Sequence, residues 1–198
     1  MLETELVKRA YVRAAELHAD QLRKGGTGEL ALTHLESVAE TVSQYTDDEE
    51  IVAAALLHDT LEDTPYTKEL MEEEFGERVT EIVLGVTIPE ALEGQGGDWL
   101  QDRTRYIENL RHAPAESALV AAADKIHNFS SVLGDYGNDF EAFNRDFSGL
   151  TGDRIAVYRT IVEMLAPRIP EKLATELIST WERYRLFVER VGDTTESV

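Results

Sequence analysis

Residues 53–64 read AAALLHDTLEDT. Ala53, Ala54, Ala55, Leu56 and Leu57 would be apolar on every side of a helix, which predicts burial on several sides at once. The run then gives way to His58, Asp59, Glu62 and Asp63. On a helix His58 and Glu62 are four apart and Asp59 and Glu62 three apart, so they share one region of surface about a turn deep. A buried helix thus delivers hydration-demanding groups into a pocket. Carboxylates crowded there repel one another and lose water, and a divalent cation removes both difficulties. The negative end of the helix dipole favours the same ion. The helix is expected to start in YTDDEE (45–50) and to run unbroken to Thr64, because Pro65 disfavours helical geometry in the residue before it.

Ligands from one helix cannot complete a coordination sphere. The other candidates are His34 and, in AAADKIHN (121–128), Asp124, which follows a small-residue run as Asp59 does. Asn128 lies four residues on, on the face of Asp124, whereas His127 points off that face and reads as a supporting or packing histidine. Mixed imidazole and carboxylate ligation suits Mn, Fe or Zn better than Ca or Mg alone.

Outward from this core, helical periodicity dominates and alternating β-branched runs are missing, which predicts an all-α fold. Leu6, Ala10, Ala14 and Leu17 stripe a first helix that stops near RKGGTGE (23–29). Thr33 is the expected N-cap of a second helix, with Glu36 in the capping-box position, and Thr67 that of a short helix ending at Gly76. ERVTEIVLGVT (77–87) follows, then a loop from Ile88 to Asp98. Further helices are expected over 99–111, 115–133, 152–165 and 171–190. The stripe Leu173, Leu177, Trp181, Tyr184 and Val188 reads as core packing, with a homodimer face as its alternative. One domain is expected over 1–191 and a disordered tail over 192–198.

The 198 residues carry 39 Asp plus Glu against 19 Lys plus Arg, a formal charge of −20. That field repels polyanions, so general nucleic-acid binding is not expected, and a phosphorylated ligand must be met by a few local cations and a metal. No apolar run approaches the ~20 residues needed to cross a bilayer. No secretory signal pattern opens the chain, and there is no cysteine, so a cytoplasmic location without disulfides is expected.

The ordered set His34, His58-Asp59 and Asp124 resembles the metal-binding signature of HD-domain phosphohydrolases. HDTLEDT (58–64), FGERVTEIVLGVT (75–87) and ADKIHN (123–128) look like the branch that includes small alarmone hydrolases and the hydrolase domains of (p)ppGpp synthetase/hydrolases. The resemblance implies a single HD-domain helical bundle and a metal on His34, His58, Asp59 and Asp124. That metal is usually Mn2+, with Fe2+, Zn2+ and Mg2+ as alternatives. It further implies that Glu62 and Asp63 act on the attacking water, that Asn128 helps hold the site, and that Arg23 and Lys24 contact a nucleotide. Arg103, Arg105 and Lys125 are further candidates for phosphate contact. Their alternative is structural, Arg103 and Arg105 pairing on the surface with Asp102 and Glu108. GELALTH (28–34) lacks the family's Pro-Tyr before the first histidine, and IPEALEGQGG (88–97) stands where relatives carry Asp-Asp-Lys. These departures motivate a second reading, a metal-binding nucleotide sensor that does not hydrolyse. His18 and His112 are expected to be ordinary polar positions.

Overall fold

The computed structural model describes residues 3–23, 28–88, 98–137, 139–147 and 151–195. Among them the only β-type pairing is an isolated antiparallel bridge between Leu22 and Leu30. The rest of the regular structure is helical, as the periodicity predicts. The order is α1 (Glu5–Leu17), α2 (Ala31–Val42), α3 (Glu49–Leu57), α4 (Thr60–Asp63), α5 (Lys68–Phe75), α6 (Glu77–Leu84), α7 (Trp99–His112), α8 (Ala115–Tyr136), α9 (Phe140–Asp146), α10 (Thr151–Leu165) and α11 (Glu171–Thr195). A 3-10 turn, Ala166–Arg168, joins the last two.

Helix α3 is the axis of the bundle. Every residue from Ile51 to Leu57 is buried, and α1, α2, α6 and α8 pack around it. Helix α8 is the second axis, buried without interruption from Ser117 to Ile126 and packed against α2 and α11. The alanines of both helices let neighbouring backbones come close, which brings polar side chains from separate helices within reach of one another. The α11 stripe from Leu173 to Val188 is buried, in agreement with core packing.

Gly85, at the end of α6, shows how tight the approach is. A Cβ there would lie 2.4 Å from Ser117 Oγ and 2.7 Å from Ala113 Cβ. Gly85→Ala is therefore expected to destabilise the fold by about 1–3 kcal/mol, seen in a thermal melt as a fall of ~2–4 °C in Tm per kcal/mol.

Asp48 accepts from Glu50 N at 3.1 Å at the start of α3, and Thr67 accepts from Leu70 N at 3.4 Å at the start of α5, as expected. Gly76 ends α5 with φ +88°, a conformation that suits glycine. Arg78 ties three helix starts together, bonding Asp48 (2.8 Å), Glu50 (2.6 Å) and Glu116 (3.3 Å).

Several expectations are corrected. Thr33 is not an N-cap: α2 begins at Ala31, because Arg23 N donates to Glu29 O and Ala31 N to Gln21 O, both at 2.9 Å, and this pairing fixes the helix start. Glu36 accordingly has no capping box. Helix α1 ends at Leu17, short of the glycines, and His18 is buried with Nδ1 against Gln21 Oε1. The helix expected to run unbroken to Thr64 is interrupted at His58 and Asp59. His58 Nδ1 meets Ala55 O at 2.8 Å and Thr60 Oγ1 donates to Leu57 O at 2.6 Å, so side chains take carbonyls the helix would otherwise use. Helix α8 continues past Leu133 to Tyr136, α9 was not foreseen, and α11 runs through Thr195, four residues into the expected tail. Lys24 and most of the loop from Ile88 to Asp98 lie outside the described residues.

Candidate active site

The break after α3 turns His58 and Asp59 toward His34 from α2 and Asp124 from the middle of α8. His34 Nε2 lies 3.2 Å from His58 Nε2, 3.3 Å from Asp124 Oδ1 and 3.6 Å from Asp59 Oδ2. His58 Nε2 lies 3.3 Å from Asp59 Oδ1 and 3.8 Å from Asp124 Oδ1. Among the described residues, His34, His58 and Asp59 form a group whose donor atoms all fall within 4.8 Å of one another. Neighbouring ligands with metal bonds of ~2.0–2.2 Å stand at spacings of this size.

The hydrogen bonds also select the tautomers. His58 Nδ1 faces the Ala55 carbonyl at 2.8 Å, which can only accept, so Nδ1 carries a proton. Nε2 is then the atom directed at the cluster. His34 Nδ1 meets His127 Nδ1 at 2.9 Å, again leaving Nε2 for the cluster. The set therefore fits a divalent cation: two imidazole nitrogens and two carboxylates converge, each imidazole held from behind.

Burial lowers the His34 pKa. Burial also works against charging His58, but Asp59 and Asp124 outweigh it and push His58 up to about 9. Burial would raise Asp124, yet Lys125 and the two histidines hold it well below the usual carboxylate range. Lys125 Nζ sits 2.5 Å from Asp124 Oδ2 and 4.9 Å from the Tyr106 ring centroid. Asn128 Nδ2 donates to Asp124 Oδ1. In this structure Lys125 and Asn128 are thus both engaged with the Asp124 carboxylate.

Glu62 shares the pocket wall with Asp59. Burial and then the Asp59 charge raise it to about 7, opposed by the Ile88 N–H, 2.5 Å from Glu62 Oε1, and by Arg103. A carboxylate poised near neutrality suits a general base. Asp63 lines the same pocket from an exposed position.

The pocket has a volume of about 360 Å3. Arg23 and Arg103 line it and Arg105 does not. Arg103 is not a surface residue paired with Asp102 or Glu108: its Nε is buried and has no hydrogen-bond partner among the described residues. Glu108 instead holds Arg111 at 2.8 Å and His112 at 3.1 Å, and His112 is exposed as expected.

Arg154, Tyr158 and Tyr184 also line the pocket and were not foreseen as site residues. The Arg154 guanidinium lies 5.0 Å from the Trp99 ring centroid and 5.4 Å from that of Phe147. The available signal was Arg154 and Tyr158 standing four apart on an expected helix, which places them on one face.

A family model for the HD domain matches residues 10–145. The chain is 39% identical over 128 residues to a guanosine-3′,5′-bis(diphosphate) 3′-pyrophosphohydrolase of Haemophilus influenzae, covering 60% of this chain and 17% of that protein. It is 37% identical over 121 residues to the enzyme of the same name, MESH1, of Danio rerio, covering 60% of this chain and 64% of that one. The chain thus spans less than a fifth of the first curated relatives it matches. A solved structure described as a metazoan ortholog of SpoT that hydrolyzes ppGpp superposes with a TM-score of 0.76 at 22% identity, covering 92% of this chain and 97% of that one. At that identity the likeness establishes the fold.

Proposed function

The chain belongs to the HD-domain family, and from that premise we propose that it is a Mn2+-dependent phosphohydrolase that removes the 3′-pyrophosphate of (p)ppGpp. The observation that carries this reading is the junction of His34, His58, Asp59 and Asp124 with a Glu62 raised to about 7 in one pocket. The names of the Haemophilus and Danio relatives support the choice of substrate.

His34, His58, Asp59 and Asp124 would hold the ion. When bound, a divalent cation supplies Lewis acidity to a phosphoryl oxygen and makes a water acidic enough to attack near neutral pH. Glu62 takes the proton of the attacking water, its pKa being close enough to 7 for it to accept and release that proton. Asp63 orients the same water. Lys125 and Asn128 keep the Asp124 carboxylate ionised and aimed. Arg23, Arg103 and Arg154 present cations to the phosphates, which the charge of −20 would otherwise repel.

The test is release of pyrophosphate from a panel containing ppGpp, pppGpp, GTP and GDP. Release from the first two with added Mn2+, abolished by EDTA and restored by Mn2+, is expected. Tight nucleotide binding without release from any member would overturn hydrolysis in favour of a sensor.

A further inference from the structure

Arg23 does more in this structure than face a ligand. One guanidinium nitrogen lies 3.2 Å from His127 Nδ1, and the other donates to Asn128 Oδ1 at 2.7 Å. Both acceptors are on α8, and each touches a different member of the cluster: His127 Nδ1 meets His34 Nδ1 at 2.9 Å, and Asn128 Nδ2 donates to Asp124 Oδ1.

A guanidinium only donates. His127 Nδ1 must therefore accept, and at the His34 contact the proton must lie on His34. The Asn128 oxygen must likewise face Arg23, leaving its amide nitrogen for the carboxylate, which only accepts. Ser131 Oγ, 3.4 Å from the same His127 nitrogen, can donate or accept and so fixes nothing. Without Arg23 the contact between the two histidines could run in either direction, and the reverse direction puts the His34 proton on the nitrogen that faces the cluster.

We propose that Arg23 is a positioning residue for the metal site. Acting through His127 and Asn128, it fixes the His34 tautomer and the Asp124 orientation needed to grip a divalent cation. This rests on the metal site proposed above and adds a role that nucleotide contact alone would not give Arg23. The backbone of Arg23 is itself anchored, its N–H donating to Glu29 O at 2.9 Å. The start of α2, and hence His34, is tied to the same paired segment.

Calorimetric titration of EDTA-treated protein with Mn2+, without nucleotide, tests the proposal. Arg23→Met and His127→Leu are each expected to weaken Mn2+ binding about 10–100-fold, the range for lost support behind a metal ligand. The double variant should lose little more than either single one, since both break the same chain. His127→Asn keeps an acceptor oxygen near the Nδ1 position and should recover most of the affinity. In 15N-histidine-labelled, metal-free protein, His34 should carry its proton on Nδ1 in the wild type and show a mixed population in Arg23→Met. Arg23→Met that folds, keeps the single tautomer and binds Mn2+ within about twofold of wild type would overturn the proposal. A purely nucleotide-contacting Arg23 predicts that result, with only KM changed. Wild-type protein that binds no Mn2+ would instead contradict the proposed function, while the tautomer measurement would still decide the role of Arg23.

Discussion

Asp124→Asn is expected to eliminate Mn2+ binding and to reduce (p)ppGpp hydrolysis by at least about a thousandfold. It should also cost stability, for a reason separate from catalysis. Asp124 is the counter-ion of Lys125, whose ammonium is buried 2.5 Å from it. Removing one partner of a buried pair leaves an uncompensated charge, at a cost of about 3–5 kcal/mol. Function and folding can be separated by adding Lys125→Met, which removes the stranded charge and leaves an apolar chain against Tyr106. Asp124→Asn with Lys125→Met should regain most of the lost Tm and still bind no Mn2+. Recovery of activity along with Tm in the double variant would show that Asp124 serves only the fold.

The second large effect is expected at Glu62. Glu62→Gln should lower kcat by about 10²–10⁴-fold, the usual contribution of a positioned general base. The wild-type rate should rise with pH as Glu62 deprotonates, through a limb at about 7 or lower, because a cation beside the carboxylate favours its charged form. That limb should vanish in the variant. Stability should move the other way. The folded-state pKa of about 7 lies above the ordinary value of 4.5, so the folded protein binds the proton more tightly than the unfolded chain. The wild type therefore loses stability as pH rises from about 4.5 to about 7, and the full penalty applies above that range. Glutamine removes it and can still accept from Ile88 N. In EDTA-treated protein, Glu62→Gln should gain on the order of 2–3 kcal/mol at pH 8 and nothing at pH 4. Thermal melts at the two pH values check this. Equal Tm for wild type and variant at pH 8 would mean that burial and Asp59 do not strain Glu62.

The buried helix was legible because Ala53–Leu57 leaves no polar face, and Thr67 and Gly76 bracketed α5 through local chemistry alone. The four proposed ligands were legible because each follows or opens an apolar helical run. What was not legible depends on contacts between distant segments. Thr33 looks like a cap, but the backbone pairing of 21–23 with 29–31 starts α2 three residues earlier, with Leu30 at the cap position. The break at His58 follows from which carbonyls its ring and the Thr60 hydroxyl capture. His127 leaves the face of Asp124 and so reads as a supporting or packing residue, yet that rotation is what brings it against His34 of α2. The burial of His18, and of the Arg103 Nε that decides against the surface-pairing alternative for that residue, depends on packing that spacing along the chain does not show.

The central claim is that His34, His58, Asp59 and Asp124 grip one ion. Crystals grown with Mn2+ and measured at the manganese absorption edge test it most directly. A single anomalous peak within about 2.0–2.4 Å of a donor atom from each of the four residues is predicted. A peak elsewhere, or none among these side chains at saturating Mn2+, would contradict it.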